Sequence, residues 1–272
     1  MNKFLNATAL SVALTIGALG TAEARSIDLG FIVDESGSVG QANFTNVMQS
    51  LGTAITSALT PTLGGPDTYT VSVVAFSSTA RDVITRTVTS ATDLALIENA
   101  LNTAAGQYAG QQTVFANAFD ELADNFTTLG DFSLINMTTD GNEVRSNVSE
   151  AQLNANSRAA RDSLAAAGWD SLSFEVVGNG VDTTFPRELA FDTQTGANLN
   201  TLEPLLGNAG DIDNPLTDSF VLQISDFDQY DPAISAKVQE IVDIDPIPLP
   251  APAFLLLAGL GGLVAVRKSK TA

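Results

Sequence analysis

Apolar runs of strand length alternate with segments of helical period along residues 26 to 243, and this alternation most narrows the folds open to the chain. The strand candidates are 27–33, 69–76, 82–87, 132–138, 172–177 and 220–224. Between them the apolar positions switch to helical spacing. Phe44, Val47, Met48, Leu51 and Ile55 recur at i, i+3, i+4, i+7 and i+11, one stripe that can lie against a sheet. Leu94, Ile97 and Leu101 do the same, as do Phe115, Phe119, Leu122 and Phe126. A fourth helix is expected over 149–167, ended by Gly168. A last one carries Ile234, Val238, Ile241 and Val242, with Asp231 as its cap and Pro232 at its first position. The expected class is therefore α/β: a doubly wound, mainly parallel sheet with helices on both faces. The connection 77–81 is short enough for a hairpin, which makes one edge strand antiparallel. Residues 178–218, broken by Gly178, Gly180, Pro186, Gly196, Gly207 and Gly210, read as a loop-rich excursion with at most one or two short helices.

Both ends read as addresses. Residues 1–24 combine Lys3, an apolar run from Ala7 to Leu19 and the small-residue close Ala22-Glu23-Ala24, the layout of a signal peptide removed before Arg25. Export with no cysteine leaves stability to core packing, with a bound ion as a further aid. At the other end, 244–272, a proline-rich stretch leads into the apolar run 253–266 and then Arg267, Lys268 and Lys270. Those 14 residues are marginal for a membrane span, which needs about 20. With its basic residues last, such a helix would leave the body outside and the tail in the cytoplasm. The order of Ile247-Pro248-Leu249-Pro250-Ala251, hydrophobic helix and basic cluster resembles the PEP-CTERM class of bacterial sorting signals in its VPLPA form, with Ile in place of Val. That resemblance implies recognition by an exosortase and delivery to the surface or extracellular matrix of a Gram-negative bacterium. The alternative is a simple membrane anchor.

The body, 25–243, holds the chemistry. Asp34, Ser36 and Ser38 stand at i, i+2 and i+4 directly after the first strand, where three hard oxygens can turn toward one point. In a parallel sheet the loops after the strands emerge on one edge. The fourth strand candidate runs into Thr138-Thr139-Asp140-Gly141, placing Asp140 on that edge, and Gly110-Gln111-Gln112-Thr113 opens the third helix there. Each piece has a plainer reading by itself: the D-x-S-G-S run as a turn bonding its own backbone, Thr113 as a helix cap, Asp140 as a turn residue. Together they bring two carboxylates and three hydroxyls to one rim.

These elements resemble the von Willebrand factor A family, whose metal ion-dependent adhesion site reads D-x-S-x-S, then T, then D. The resemblance implies that Ser36, Ser38 and Thr113 touch a metal, with Asp34 and Asp140 acting directly or through water, and that one position stays open for an acidic group of a partner. Mg²⁺ suits an all-oxygen set of this kind, and Mn²⁺ or Ca²⁺ is also compatible with it.

Other chemistry is narrowed by what the chain lacks. No histidine means no Ser-His-Asp catalysis and no imidazole zinc site, and no cysteine means no thiol nucleophile. The glycine patterns of dinucleotide and P-loop phosphate sites are missing. A net charge of −19 disfavours nucleic acid and bare anionic lipid as partners. Asp211-Ile212-Asp213-Asn214 hints at a calcium loop but has neither the glycine at position six nor the glutamate at twelve, so it reads as a solvated acidic loop. The expectation is a non-enzymatic, exported, cation-dependent adhesion module whose partner presents a carboxylate. The competitors are a matrix protein in which the ion only stiffens loops, and a metal-assisted hydrolase.

Overall fold

The computed structural model describes residues 24–193, 202–207, 211, 214, 216 and 218–243. The signal at 1–24, apart from its last residue, and the tail from 244 lie outside them, as does most of 194–217, including Ile212 and Asp213 of the acidic loop.

The first strand, β1 (Ser26–Asp34), is buried from Ile27 to Asp34 and pairs in parallel on both sides, with β2 (Thr68–Phe76) and β4 (Phe132–Thr139). Double-sided burial is why these strands read as nearly continuous apolar runs. The hairpin partner β3 (Ala80–Val88) lies antiparallel to β2 at one edge, with a register shift at Val73/Val74. On the other side come β5 (Ser171–Val177) and β8 (Val221–Ile224), both parallel. Two short strands were not expected: β6 (Phe191–Asp192), antiparallel to the start of β5, and β7 (Leu205–Leu206), parallel to β8. The strand order is β3-β2-β1-β4-β5-β8-β7.

Helices cover both faces. On one lie α1 (Gly40–Leu59), α2 (Ala91–Ala104) and α6 (Tyr230–Asp243), packing Phe44, Leu51, Ile97 and Ile234 against Leu29, Phe31 and Val71. On the other lie α3 (Phe115–Asp124) and α4 (Glu150–Ala167), with the six-residue α5 (Thr184–Leu189), around Trp169, Phe119 and Phe174. Gly30 has no Cβ for a reason: one placed there would meet Leu122 Cδ2 at 2.8 Å, so the glycine lets α3 approach β1. Helix α4 is capped as expected. Ser149 accepts from Gln152 N, and Gly168 closes it in the left-handed region at φ 103°.

Helix α6 corrects the expected start. Tyr230 already belongs to it, so Asp231 lies inside the first turn and not at the cap. Asp226 instead caps a 3₁₀ turn, Phe227–Gln229, that feeds the helix, its side chain accepting from Asp228 N. Pro232 is tolerated there because first-turn N–H groups have no partner within the helix.

The anchored location expected from the tail is also corrected. Among the described residues no helix is long and apolar enough to cross a membrane. The 14 apolar residues of 253–266 lie outside that description. A surface location that depends on such an anchor has no support.

Candidate metal centre

The order β2-β1-β4 creates a switch point. The chain leaves β1 toward α1 on one face and leaves β4 toward α4 on the other, opening a crevice at the strand ends where ligands of such sheets bind. Val33 is level with Thr138 in the β1/β4 register, which sets Asp34 beside Thr139. Thr139 Oγ1 donates to Asp34 Oδ2 at 2.7 Å, and Ser36 N donates to Oδ1 at 2.8 Å. Both carboxylate oxygens are thereby aimed from below.

Above it the hydroxyls form a chain. Ser36 Oγ and Ser38 Oγ are 3.1 Å apart, and Ser38 Oγ donates to Asp140 Oδ1 at 2.8 Å. Ser36 is buried at 1 % exposure while Ser38 is exposed, so the cluster has a closed floor and an open top. Ser36, Ser38 and Asp140 thus meet through their side chains, and the Asp34 carboxylate reaches them through Ser36 N. The fifth, Thr113, is buried and is not tied to those four by a hydrogen bond: its backbone exchanges both hydrogen bonds with Val144, at 3.0 and 2.9 Å, which fastens its loop to the loop after β4. It does not cap α3, whose N-cap is Val114.

Residues that the sequence alone did not single out hold these loops. Glu35 N donates to Phe76 O and Gly37 N to Gln111 O, each at 2.7 Å, and the buried Glu35 carboxylate pairs with Arg81 at 2.9 Å. Tyr108 Oη donates to Ser36 O at 2.6 Å and accepts from Gly40 N at 3.2 Å. Glu143 accepts from Phe115 N at 2.6 Å and Ser157 Oγ at 2.7 Å, tying the β4 loop to α3 and α4. None of these has a local signature, since each depends on which loops meet in space.

The electrostatics fit a hard cation. Burial pushes the Asp34 carboxyl up to about 6, against the hydrogen bonds from Thr139 and Ser36, and the charge of Asp140 adds to the rise. Burial also raises Asp140, its bond from Ser38 opposing. The nearby Arg81 is committed to Glu35 and does not neutralise the pair. Among the described residues no three His, Cys, Asp or Glu side chains gather as a metal cluster. The candidate set is two carboxylates with three hydroxyls, a donor set that leaves a dication undercompensated and electrophilic. A cleft of about 480 Å³ lies between β3 and α2, lined by Arg81, Arg86 and Leu96, and none of the five candidate ligands borders it.

A doubly wound, mainly parallel sheet with a crevice at its switch point defines a class of α/β modules, and the comparisons place the chain in one family of that class. Residues 28–199 match the von Willebrand factor type A domain, and the chain belongs to that family. No curated protein matches it. Solved structures share the fold at low identity. A form of proximal thread matrix protein 1 from the mussel byssus with a zinc-occupied MIDAS motif is 15 % identical, TM-score 0.52, over 81 % of this chain and 48 % of that one. The von Willebrand factor type A protein from Catenulispora acidiphila is 15 % identical, TM-score 0.52, over 80 % and 43 %. A mutant of the PilB minor pilin from Streptococcus sanguinis is 11 % identical, TM-score 0.56, over 82 % and 62 %. The chain spans about half the length of the first two.

Proposed function

We propose that the protein is a divalent-cation-dependent binding module that captures a carboxylate of a protein or matrix partner, without turnover. Asp34, Ser36, Ser38, Thr113 and Asp140 would hold the ion, Mg²⁺ by preference for an all-oxygen set. Bound there, the dication supplies an electrophilic open position to an acidic oxygen. The rest is the work of the chain. Thr139 and Ser36 N orient Asp34, Tyr108 and the Glu35–Arg81 pair fix the first loop, and Ser38 presents Asp140 to the open side.

The observation that carries the reading is the Ser36–Ser38–Asp140 hydroxyl and carboxylate chain over a buried Asp34 that has no cation of its own. The zinc-occupied motif of the byssus protein, a member of the same fold, supports a divalent ion at such a place. Calorimetric titration with MgCl₂ tests it: wild type should bind one ion, and Asp140→Ala should bind none while retaining its circular dichroism spectrum. Acetate should then weaken retention on an acidic matrix only while Mg²⁺ is present. Indifference to acetate would favour an ion that merely stiffens the loops.

A further inference from the structure

The rim beside the candidate ligands carries a second feature, at Val144 and Arg145. Val144 is 58 % exposed, one of four large apolar side chains so exposed among the described residues. It sits directly opposite Thr113 in an antiparallel bridge with both hydrogen bonds made, so the two Cα atoms are about 5.5 Å apart and the two side chains share a face. The turn that follows is clamped: Gln112 Nε2 donates to Ser146 Oγ at 2.7 Å, and Ser146 N donates back to Gln112 Oε1 at 2.8 Å. Asn147, at φ 65°, is the non-glycine residue in the left-handed region among the described ones. Such a turn is held in shape before any ligand arrives.

Arg145 is exposed at this turn, and its guanidinium is uncommitted. Five other arginines are in salt bridges, Arg187 donates to Glu203 O, and Lys237 lies over the Phe220 ring. Among the described residues Arg145 is the cationic side chain left without a partner. In a chain of net charge −19 there is no shortage of carboxylates to satisfy it.

We infer that Val144 and Arg145 form a second subsite of the rim, and that the partner is an acidic segment with two carboxylates, one for the ion and one for Arg145, bridged over Val144 by an aliphatic side chain. This rests on the cation-dependent reading above and gives it a ligand class. The domain's acidic excess repels such a segment at long range, so a local cation is what lets the second acid add to binding.

Capped Gly/Ser peptides provide the probe. One series carries two glutamates separated by one, two or three residues including a leucine; its counterparts have either glutamate replaced by glutamine. With MgCl₂ present, the full chain should prefer at least one two-acid peptide about tenfold over both counterparts. Arg145→Gln should abolish that preference, Val144→Ser should weaken all the peptides together, and Arg145→Glu should prefer a lysine in place of one acid. Wild type that binds two-acid and one-acid peptides equally, or none of them, overturns the inference, as does an Arg145→Gln variant with the preference intact. Titration with MgCl₂ alone separates the two readings. The Arg145 variants should take up the ion within about twofold of wild type, whereas wild type that takes up no ion overturns the adhesion reading itself.

Discussion

Asp34 shows how much one buried carboxyl costs before an ion reaches it. Its ordinary value is 3.8 and burial raises it to about 6. Below 3.8 both folded and unfolded chains hold the proton; between 3.8 and 6 only the folded one does, so stability falls as pH rises through 6. The difference is worth about 3 kcal/mol. Urea denaturation of the metal-free protein between pH 4 and 7 should show that loss, and Asp34→Asn should remove about that much of the slope. Saturating Mg²⁺ should flatten the fall in wild type and leave the variant's pH profile, which lacks that fall, unchanged. Tyr108 is a neighbouring case with no ligand role. Tyr108→Phe leaves Gly40 N and Ser36 O without their phenol, which should cost about 1 to 2 kcal/mol and weaken Mg²⁺ binding with all five candidate ligands intact. A variant with unchanged calorimetric affinity would show that the first loop keeps its shape unaided. The candidate ligands were legible because their spacing after strands is local. Tyr108, Thr139, Glu35 and Glu143 were not, because their hydrogen bonds join loops distant in sequence.

Helix α6 seats a polar cluster against the sheet that no periodicity could announce. Glu175 of β5 is fully buried with neither carboxylate oxygen hydrogen-bonded, and Lys237 of α6 is 3 % exposed. Burial raises Glu175, the charge of Lys237 opposing, and lowers Lys237 to about 8, the charge of Glu175 opposing. Each partner makes the other's charge tolerable, so removing one should hurt more than removing both. Lys237→Met should cost about 3 kcal/mol at pH 7 and less as the pH falls, because burial already favours the neutral form of Glu175. Adding Glu175→Leu should restore wild-type stability or exceed it, by the urea midpoint; a double variant weaker than Lys237→Met would refute the coupling. The apolar stripes of α1 to α3 and the six longer strands were readable because period 3.6 and strand-length runs report burial directly, and α4 was readable from its closing Gly168. The start of α6 was not, because Tyr230 is buried there with its hydroxyl accepting from Thr138 Oγ1 at 3.3 Å, a contact between residues distant in sequence. Strands β6 and β7, two residues each, exist only through their neighbours β5 and β8.

At the scale of the molecule, charge works against the fold and frames how an ion effect must be read. Residues 24–245 hold 30 acidic groups against 8 basic ones, a balance of −22, and five of the basic ones are in salt bridges. Self-repulsion of this size destabilises a compact state, and salt relieves it as the Debye length shrinks from about 30 Å at 0.01 M to about 8 Å at 0.15 M. The metal-free protein should therefore melt several degrees higher in 0.15 M NaCl than in 0.01 M, and Asp140→Ala should gain the same increment, since the field is spread over the whole surface. Mg²⁺ at matched ionic strength should add a further, saturable rise in wild type, following the logarithm of free ion over its dissociation constant. Asp140→Ala should lack that second rise. Two melting series, one in NaCl and one in MgCl₂, separate the diffuse effect from the localised one. Identical Mg²⁺ curves for the two proteins would mean that the acidic surface as a whole, and not the crevice between β1 and β4, is what divalent ions stabilise.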